Sequence, residues 1–193
     1  MIRANAGAVY GRSQHVASNR GAYTNTFDVN GRATGAQFGC LAARDRVQYG
    51  AALDLMHTNA KGNAQETPPN QNFFSETAFD WLATMRGIGG YQVDPRVMVY
   101  LTAGLAFSGV QIRVCRMSGA FAGCSASSAN VWGVVGGVGS QLRLSRRWSL
   151  SAEYLAFGFE NKEFPTPVGP FADRGGGVQP QAQVFRAALN FHF

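Results

Sequence analysis

The stretch Val184-Phe185-Arg186-Ala187-Ala188-Leu189-Asn190-Phe191-His192-Phe193 decides how this chain is read. Phe185, Ala187, Leu189, Phe191 and Phe193 fall on one side of an extended backbone, and Arg186, Asn190 and His192 fall on the other. Successive side chains of a strand point to opposite faces, so this period of two predicts a strand with one apolar and one polar side.

The same rhythm recurs toward the N-terminus. Strands are predicted at about 2–12, 33–43, 46–56, 78–92, 97–111, 130–144, 148–159 and 182–193. Arg44-Asp45-Arg46, Val93-Asp94-Pro95-Arg96 and Ser145-Arg146-Arg147 read as tight polar turns. The alternate connections, about 13–32, 57–77, 112–129 and 160–181, are long and rich in Gly, Asn, Ser, Thr and Pro. Four long connections alternating with three short turns is the plan of an all-β, eight-stranded antiparallel up-and-down transmembrane β-barrel. Compact soluble domains seldom carry long structureless loops, still less in strict alternation.

Composition fits that plan. The 193 residues suit a single barrel domain spanning 1–193. Charged residues make up 15% of the chain, Lys is confined to Lys61 and Lys162, and there are 24 Gly and 14 Phe, a poor match to a soluble enzyme surface. Mean hydropathy is −0.11, and the most apolar window, Val97 to Ile112, is interrupted by Thr102, Gly104, Ser108 and Gly109. A spanning helix, which needs about 20 apolar residues, is therefore not expected. Met1-Ile2-Arg3-Ala4-Asn5 enters a strand pattern directly, without the apolar core of a signal peptide, so the chain is read as a mature sequence.

Faces follow from parity. Phe79, Trp81, Ala83, Met85 and Tyr91 share one side of the fourth strand, opposite Asp80, Thr84 and Arg86. Val97, Val99, Leu101, Ala103, Leu105 and Phe107 line one side of the fifth, and Trp132, Val134, Val138 and Leu142 one side of the sixth. Trp148, Leu150, Ala152 and Tyr154 do the same in the seventh. Aromatics near strand ends predict two girdles: Tyr49, Tyr91, Trp148, Phe191 and Phe193 at the short-turn rim, and Tyr10, Phe79, Trp81 and Trp132 at the other. A soluble barrel has the opposite polarity, apolar inside; here Arg, Asp, Glu and Gln take the inner positions.

The chain resembles the OmpA-like, porin-family small barrels of alphaproteobacteria, the outer-membrane immunogenic protein type. The pieces that carry the resemblance are Ala4-Asn5-Ala6-Gly7, Thr34-Gly35-Ala36-Gln37-Phe38-Gly39, Tyr49-Gly50-Ala51-Ala52-Leu53-Asp54-Leu55, Met85-Arg86-Gly87-Ile88-Gly89-Gly90-Tyr91, Tyr100-Leu101-Thr102-Ala103-Gly104-Leu105-Ala106-Phe107 and Ala152-Glu153-Tyr154. A closing strand that ends on Phe193 is similar to the segment such barrels present to the barrel-assembly machinery. The chain departs at Ala52 and Gly139, where that family often has an acidic residue. The resemblance implies a Gram-negative outer-membrane location with both termini periplasmic. It implies architecture more firmly than activity, because fold does not fix function.

Within the barrel, Asp54, Arg86, Glu153 and Arg186 lie at similar heights, with Gln37 and Gln141 near them. Asp54–Arg86 and Glu153–Arg186 are the expected cross-strand pairs of a lumen charge cluster. One reading is a pore constricted by these charges; the other is a filled polar lumen, since eight strands enclose little more than their own side chains. Cys115 and Cys124 fall in one long connection, and an oxidising compartment favours a disulfide there, stabilising by roughly 2–3 kcal/mol. No His, Asp or Glu stands between them to make a metal pair, and no metal or cofactor is expected. Cys40 shares the lipid face with Phe38 and Ala42.

His15, His57 and His192 stand in no nucleophile–base motif, so the chain is read as no enzyme. A lipid-modifying enzyme working from His15 and His57 at the outer rim is the remote alternative. The net charge of +6 is concentrated in the turns, at Arg44, Arg46, Arg96, Arg146 and Arg147, without interleaved aromatics, so no nucleic acid is expected. Arg12, Arg20 and Arg32 flank the first long connection, within reach of lipopolysaccharide phosphates. Pro165, Pro167, Pro170 and Gly175-Gly176-Gly177 predict a mobile last loop. The functional expectation is an integral outer-membrane barrel with a structural or surface-binding role carried by four extracellular loops. Its expected partners are outer-membrane lipids, lipopolysaccharide and an unnamed extracellular ligand. The alternative is a small-solute porin-like channel.

Overall fold

The computed structural model describes residues 1–17, 21–22, 24–68, 72–117, 123–163, 176–178 and 180–193. Eight long strands form its wall: β1 (Ile2–Ser13), β4 (Phe27–Arg44), β5 (Val47–Gln65), β6 (Phe73–Asp94), β7 (Val97–Arg116), β8 (Gly123–Arg143), β9 (Trp148–Phe159) and β12 (Gln181–Phe191). They close antiparallel into a ring in the order β1-β12-β9-β8-β7-β6-β5-β4. The closing strand quoted above seals it, with Ile2 opposite Phe191 and Arg12 opposite Gln181. In the lower wall, below about Gly133 on β8 and Lys61 on β5, closure pairs every strand on both sides, the condition for β-structure to survive in hydrocarbon. The short turns fall where expected, and Asp45, at φ 55°, supplies the left-handed residue of the first.

Three features differ from the sequence expectation. Strands β4 to β8 run much farther toward the long-connection end, so two of the long connections shrink to 66–72 and 117–122. Hydrophobic alternation fades in these extensions, which is why the pattern missed them, yet their backbone pairing continues. Register shifts between His57 and Ala60 on β5 and between Phe79 and Trp81 on β6 mark a bulge level across adjacent strands. The bulge reverses the expected parity on β6: Phe79 turns inward and is buried, while Asp80 faces out.

Polarity inverts at that level. Below it, Leu53, Leu55, Met85, Leu101, Val134, Leu150 and Leu189 face out and are exposed, the band expected of a wall against lipid. Above it, the outward positions are His57, Asn59, Lys61, Asn63, Gln111 and Arg113, all exposed. The interior there is apolar, built from Val9, Val29, Phe79, Val110, Val131, Phe157 and their neighbours. The expectation of a polar lumen therefore holds for the lower storey, whereas in the upper storey this apolar core is joined by a smaller buried polar set, Ser13, His15, Glu66, Ser75 and Thr77. The upper storey has the polarity of a soluble barrel, polar outside and with an apolar core inside.

The third difference is a second sheet of β10 (Lys162–Glu163), β11 (Gly176–Val178), β2 (His15–Ala17) and β3 (Gly21–Ala22), paired in the order β10-β11-β2-β3. These strands continue β9, β12, β1 and β4 in the same order, after a break in each. His15, fully buried, reaches across the lumen to Thr77 on β6, with its Nε2 2.7 Å from Thr77 Oγ1. Thr24 bridges to Glu66 beyond β5. One side of the wall thus folds over toward the other and narrows the mouth. Arg20, Pro165, Pro167, Pro170 and Gly175 lie outside the described residues.

Candidate functional site: the buried charge network of the lower lumen

Inward positions of seven wall strands meet just below the bulge level. Arg3 and Asn5 come from β1, Gln37 from β4, Asp54 from β5, Thr84 and Arg86 from β6, Tyr100 and Thr102 from β7, Glu153 from β9 and Arg186 from β12. Glu153 and Arg186 are direct cross-strand partners, and Arg186 Nε donates to Glu153 Oε2 at 2.7 Å. Asp54 lies opposite Thr84, one step from Arg86, and Arg86 Nη2 reaches Asp54 Oδ2 diagonally at 3.3 Å. Arg186 Nη1 also crosses the lumen to Asp54. Arg86 Nη1 contacts Glu153 Oε1 at 3.3 Å, so the two expected pairs are one network.

Parity alone did not reveal two further members. Arg3 sits near the start of the chain, where no neighbouring strand pattern marks its height; ring closure brings its Nη1 to 3.2 Å from Glu153 Oε1. Tyr100 faces in, donates from Oη to Glu153 Oε1 at 3.0 Å and presents its ring to the Arg3 guanidinium at 5.9 Å. Tyr100 also bears on the small residues Ala52 and Gly139. A Cβ built at Gly139 would overlap the Tyr100 ring, and Ala52 packs in the same buried cluster as Tyr100. The phenol fills the space that a side chain at position 139 would need.

The charge count is uneven: three guanidiniums surround two carboxylates. Gln37 carries the difference. Its Oε1 accepts from Arg3 Nη1 at 3.4 Å, Arg86 Nη2 at 3.2 Å and Arg186 Nη2 at 3.1 Å. Its Nε2 has no partner among the described residues. The charged side chains of Arg3, Asp54, Arg86, Glu153 and Arg186 are at most 2% exposed. These five side chains are thus shielded from solvent. Buried charges persist only when paired and hydrogen-bonded, so the arrangement acts as a rigid polar plug. The apolar core lies directly above it.

The other sequence-predicted residues are placed as follows. Tyr49, Tyr91, Trp148 and Phe193 face out at the short-turn end and Trp132 at the bulge level, all exposed; Phe191 is half-buried against Trp148. Cys115 and Cys124 are directly opposed on β7 and β8 and form a disulfide, at a hairpin tip and not within a long loop. Cys40 is free and faces outward. His57 lies within β5, facing out, and His192 stands by Ser149 Oγ at 2.8 Å.

No protein-family model matches the chain. It is 30% identical over 115 residues to the 31 kDa outer-membrane immunogenic proteins of Brucella melitensis and Brucella suis. That alignment covers 56% of this chain and 45% of the relative, so it spans about half the length of those curated proteins. In fold the chain is similar to the outer membrane protease OmpT from Escherichia coli, with TM-score 0.63, 8% identity, and 100% of this chain and 96% of that one covered. It is also similar to the outer membrane protein OprG from Pseudomonas aeruginosa, with TM-score 0.52, 9% identity, and 100% and 95% covered. At such identities the likeness is one of fold. The architecture, the apolar outer band and the relatives agree on an outer-membrane β-barrel.

Proposed function

We propose that this outer-membrane β-barrel is a closed, non-conducting and non-enzymatic wall protein that holds a rigid binding surface clear of the membrane. The observation that carries the reading is the double seal of the lumen: the arginine–carboxylate plug below and the apolar core above. A conducting barrel needs water along its axis, whereas both storeys here are filled with side chains. The β5–β8 wall, polar outside and apolar inside, supports a platform that stands in water and carries the connections at 66–72 and 117–122 as its working surface. Both ends of the chain lie at the short-turn end, and the general plan of such barrels puts that end in the periplasm and the long connections outside. In this reading the barrel spans residues 1–193, its partners are outer-membrane lipids, lipopolysaccharide and an extracellular ligand met by the platform, and its closing strand engages the barrel-assembly machinery. The burial of His15 supports the non-enzymatic part of the reading, since no substrate reaches an imidazole with zero exposure. Planar-bilayer recording of the purified protein should show no stable single-channel steps. Reproducible steps that change size in an Arg186→Ala variant would establish the porin-like alternative instead.

A further inference from the structure

Where β9, β12, β1 and β4 turn toward the mouth, the outer wall is indented by a groove of about 470 Å³. Register defines its surface: Gln183, Tyr10 and Asn30 form one row across β12, β1 and β4, and Gln181, Arg12 and Asp28 form the row above. Three amides, a phenol and a carboxylate are donors and acceptors suited to sugar hydroxyls. Arg12 pairs loosely with Asp28 at 3.7 Å, both largely exposed, and Arg32 and Lys61 stand on the neighbouring strands, Lys61 opposite Asn30. Arg12, Arg32 and Lys61 thus stand around Asp28, while Glu76 and Asp80 flank Lys61 on its far side, on β6.

The row beneath the groove is aromatic. Phe185 packs against Tyr154 at 4.7 Å and Tyr10 at 6.2 Å between ring centroids. Lower on the same strands, an apolar trough of about 330 Å³ runs between Leu150 and Leu189 and over Ala4, Ala6 and Ala187. Polar groove, aromatic collar and apolar trough follow one another down one face of the wall, across the level where its outer surface changes from polar to apolar. That is the order of a headgroup, its linkage and its acyl chains.

We propose that this face is a binding site for one phosphorylated glycolipid of the outer leaflet, with the sugar in the Tyr10–Asn30–Gln181–Gln183 groove and a phosphate at Arg12 and Lys61. The proposal rests on the reading that the long-connection end faces outward. It places the lipid against one particular side of the barrel and makes it a glycolipid, not a phospholipid or a second copy of this chain.

The test uses the purified full chain in detergent micelles, with lipid A as the probe and native mass spectrometry as the readout. One lipid A should be retained per barrel. The pair Arg12→Ser and Lys61→Ser, and separately Gln183→Ala with Asn30→Ala, should each weaken retention at least tenfold, while heat-modifiable migration shows each variant folded. Retention unchanged in both variants, displacement by an equal amount of phosphatidylglycerol, or a dimer carrying no lipid would each overturn the assignment. Micelle binding does not depend on orientation. Labelling of Asn63→Cys by an impermeant maleimide on intact cells tests the outward reading separately, so the two failures are distinguishable.

Discussion

Gln37 is the residue on which the plug turns. A neutral amide oxygen shared by three guanidiniums stands where a third carboxylate would balance the charge, and the amide nitrogen finds no acceptor among the described residues. Gln37→Glu should therefore be neutral or stabilising, because it supplies the missing charge in the same volume. Glu153→Gln should destabilise by about 3–5 kcal/mol, since it leaves three buried arginines to one carboxylate. Unfolding midpoints in urea, from detergent micelles or vesicles, read both. Equal losses from the two substitutions would refute the charge count. The sequence made Asp54, Arg86, Glu153 and Arg186 visible because each interrupts an apolar alternation on a long strand. Arg3 stayed hidden, since its height depends on the shear with which β1 meets β12.

At the scale of the element, the first connection is the one whose behaviour should depend on pH. Burial pushes the His15 imidazole down to about 4 from its ordinary 6.5, so it is neutral in the folded cap. The unfolded segment binds a proton that the folded one refuses. The contribution is thus fully present above about pH 6.5 and falls as pH drops toward 4, by roughly 3 kcal/mol in all. Amide exchange over residues 13–17 should accelerate across that window, while the β6–β7 ladder stays protected. His15→Gln should flatten the dependence; an unchanged pH profile in that variant would remove His15 as the cause. Sequence periodicity predicts loop here because two- and three-residue strands carry no measurable alternation.

The whole molecule is a barrel with two solvents, and substitutions should report which one each storey meets. Leu101→Arg, on the exposed apolar band, should cost about 2–4 kcal/mol if it lies near the bilayer midplane. Asn63→Arg, facing out in the upper storey, should change stability by less than about 0.5 kcal/mol. Inward, the order reverses: Val131→Asp should cost several kcal/mol by placing a charge in the apolar core. Vesicle refolding followed by heat-modifiable migration separates the three. A large loss at Asn63 would mean that lipid reaches the upper storey.

Alternation and turn chemistry were enough by themselves to determine the eight wall strands, their antiparallel order and the lipid-facing parity of the lower wall, because a strand's faces are set by the covalent geometry of its own backbone. Everything that depends on how distant strands meet was left to the tertiary structure: the bulge level that turns Phe79 inward, the extension of β4 to β8 into water, the cap held by His15 and the entry of Arg3 and Tyr100 into the plug. Closure fixes these heights, through register summed around eight strands, and no local stretch of sequence contains that sum.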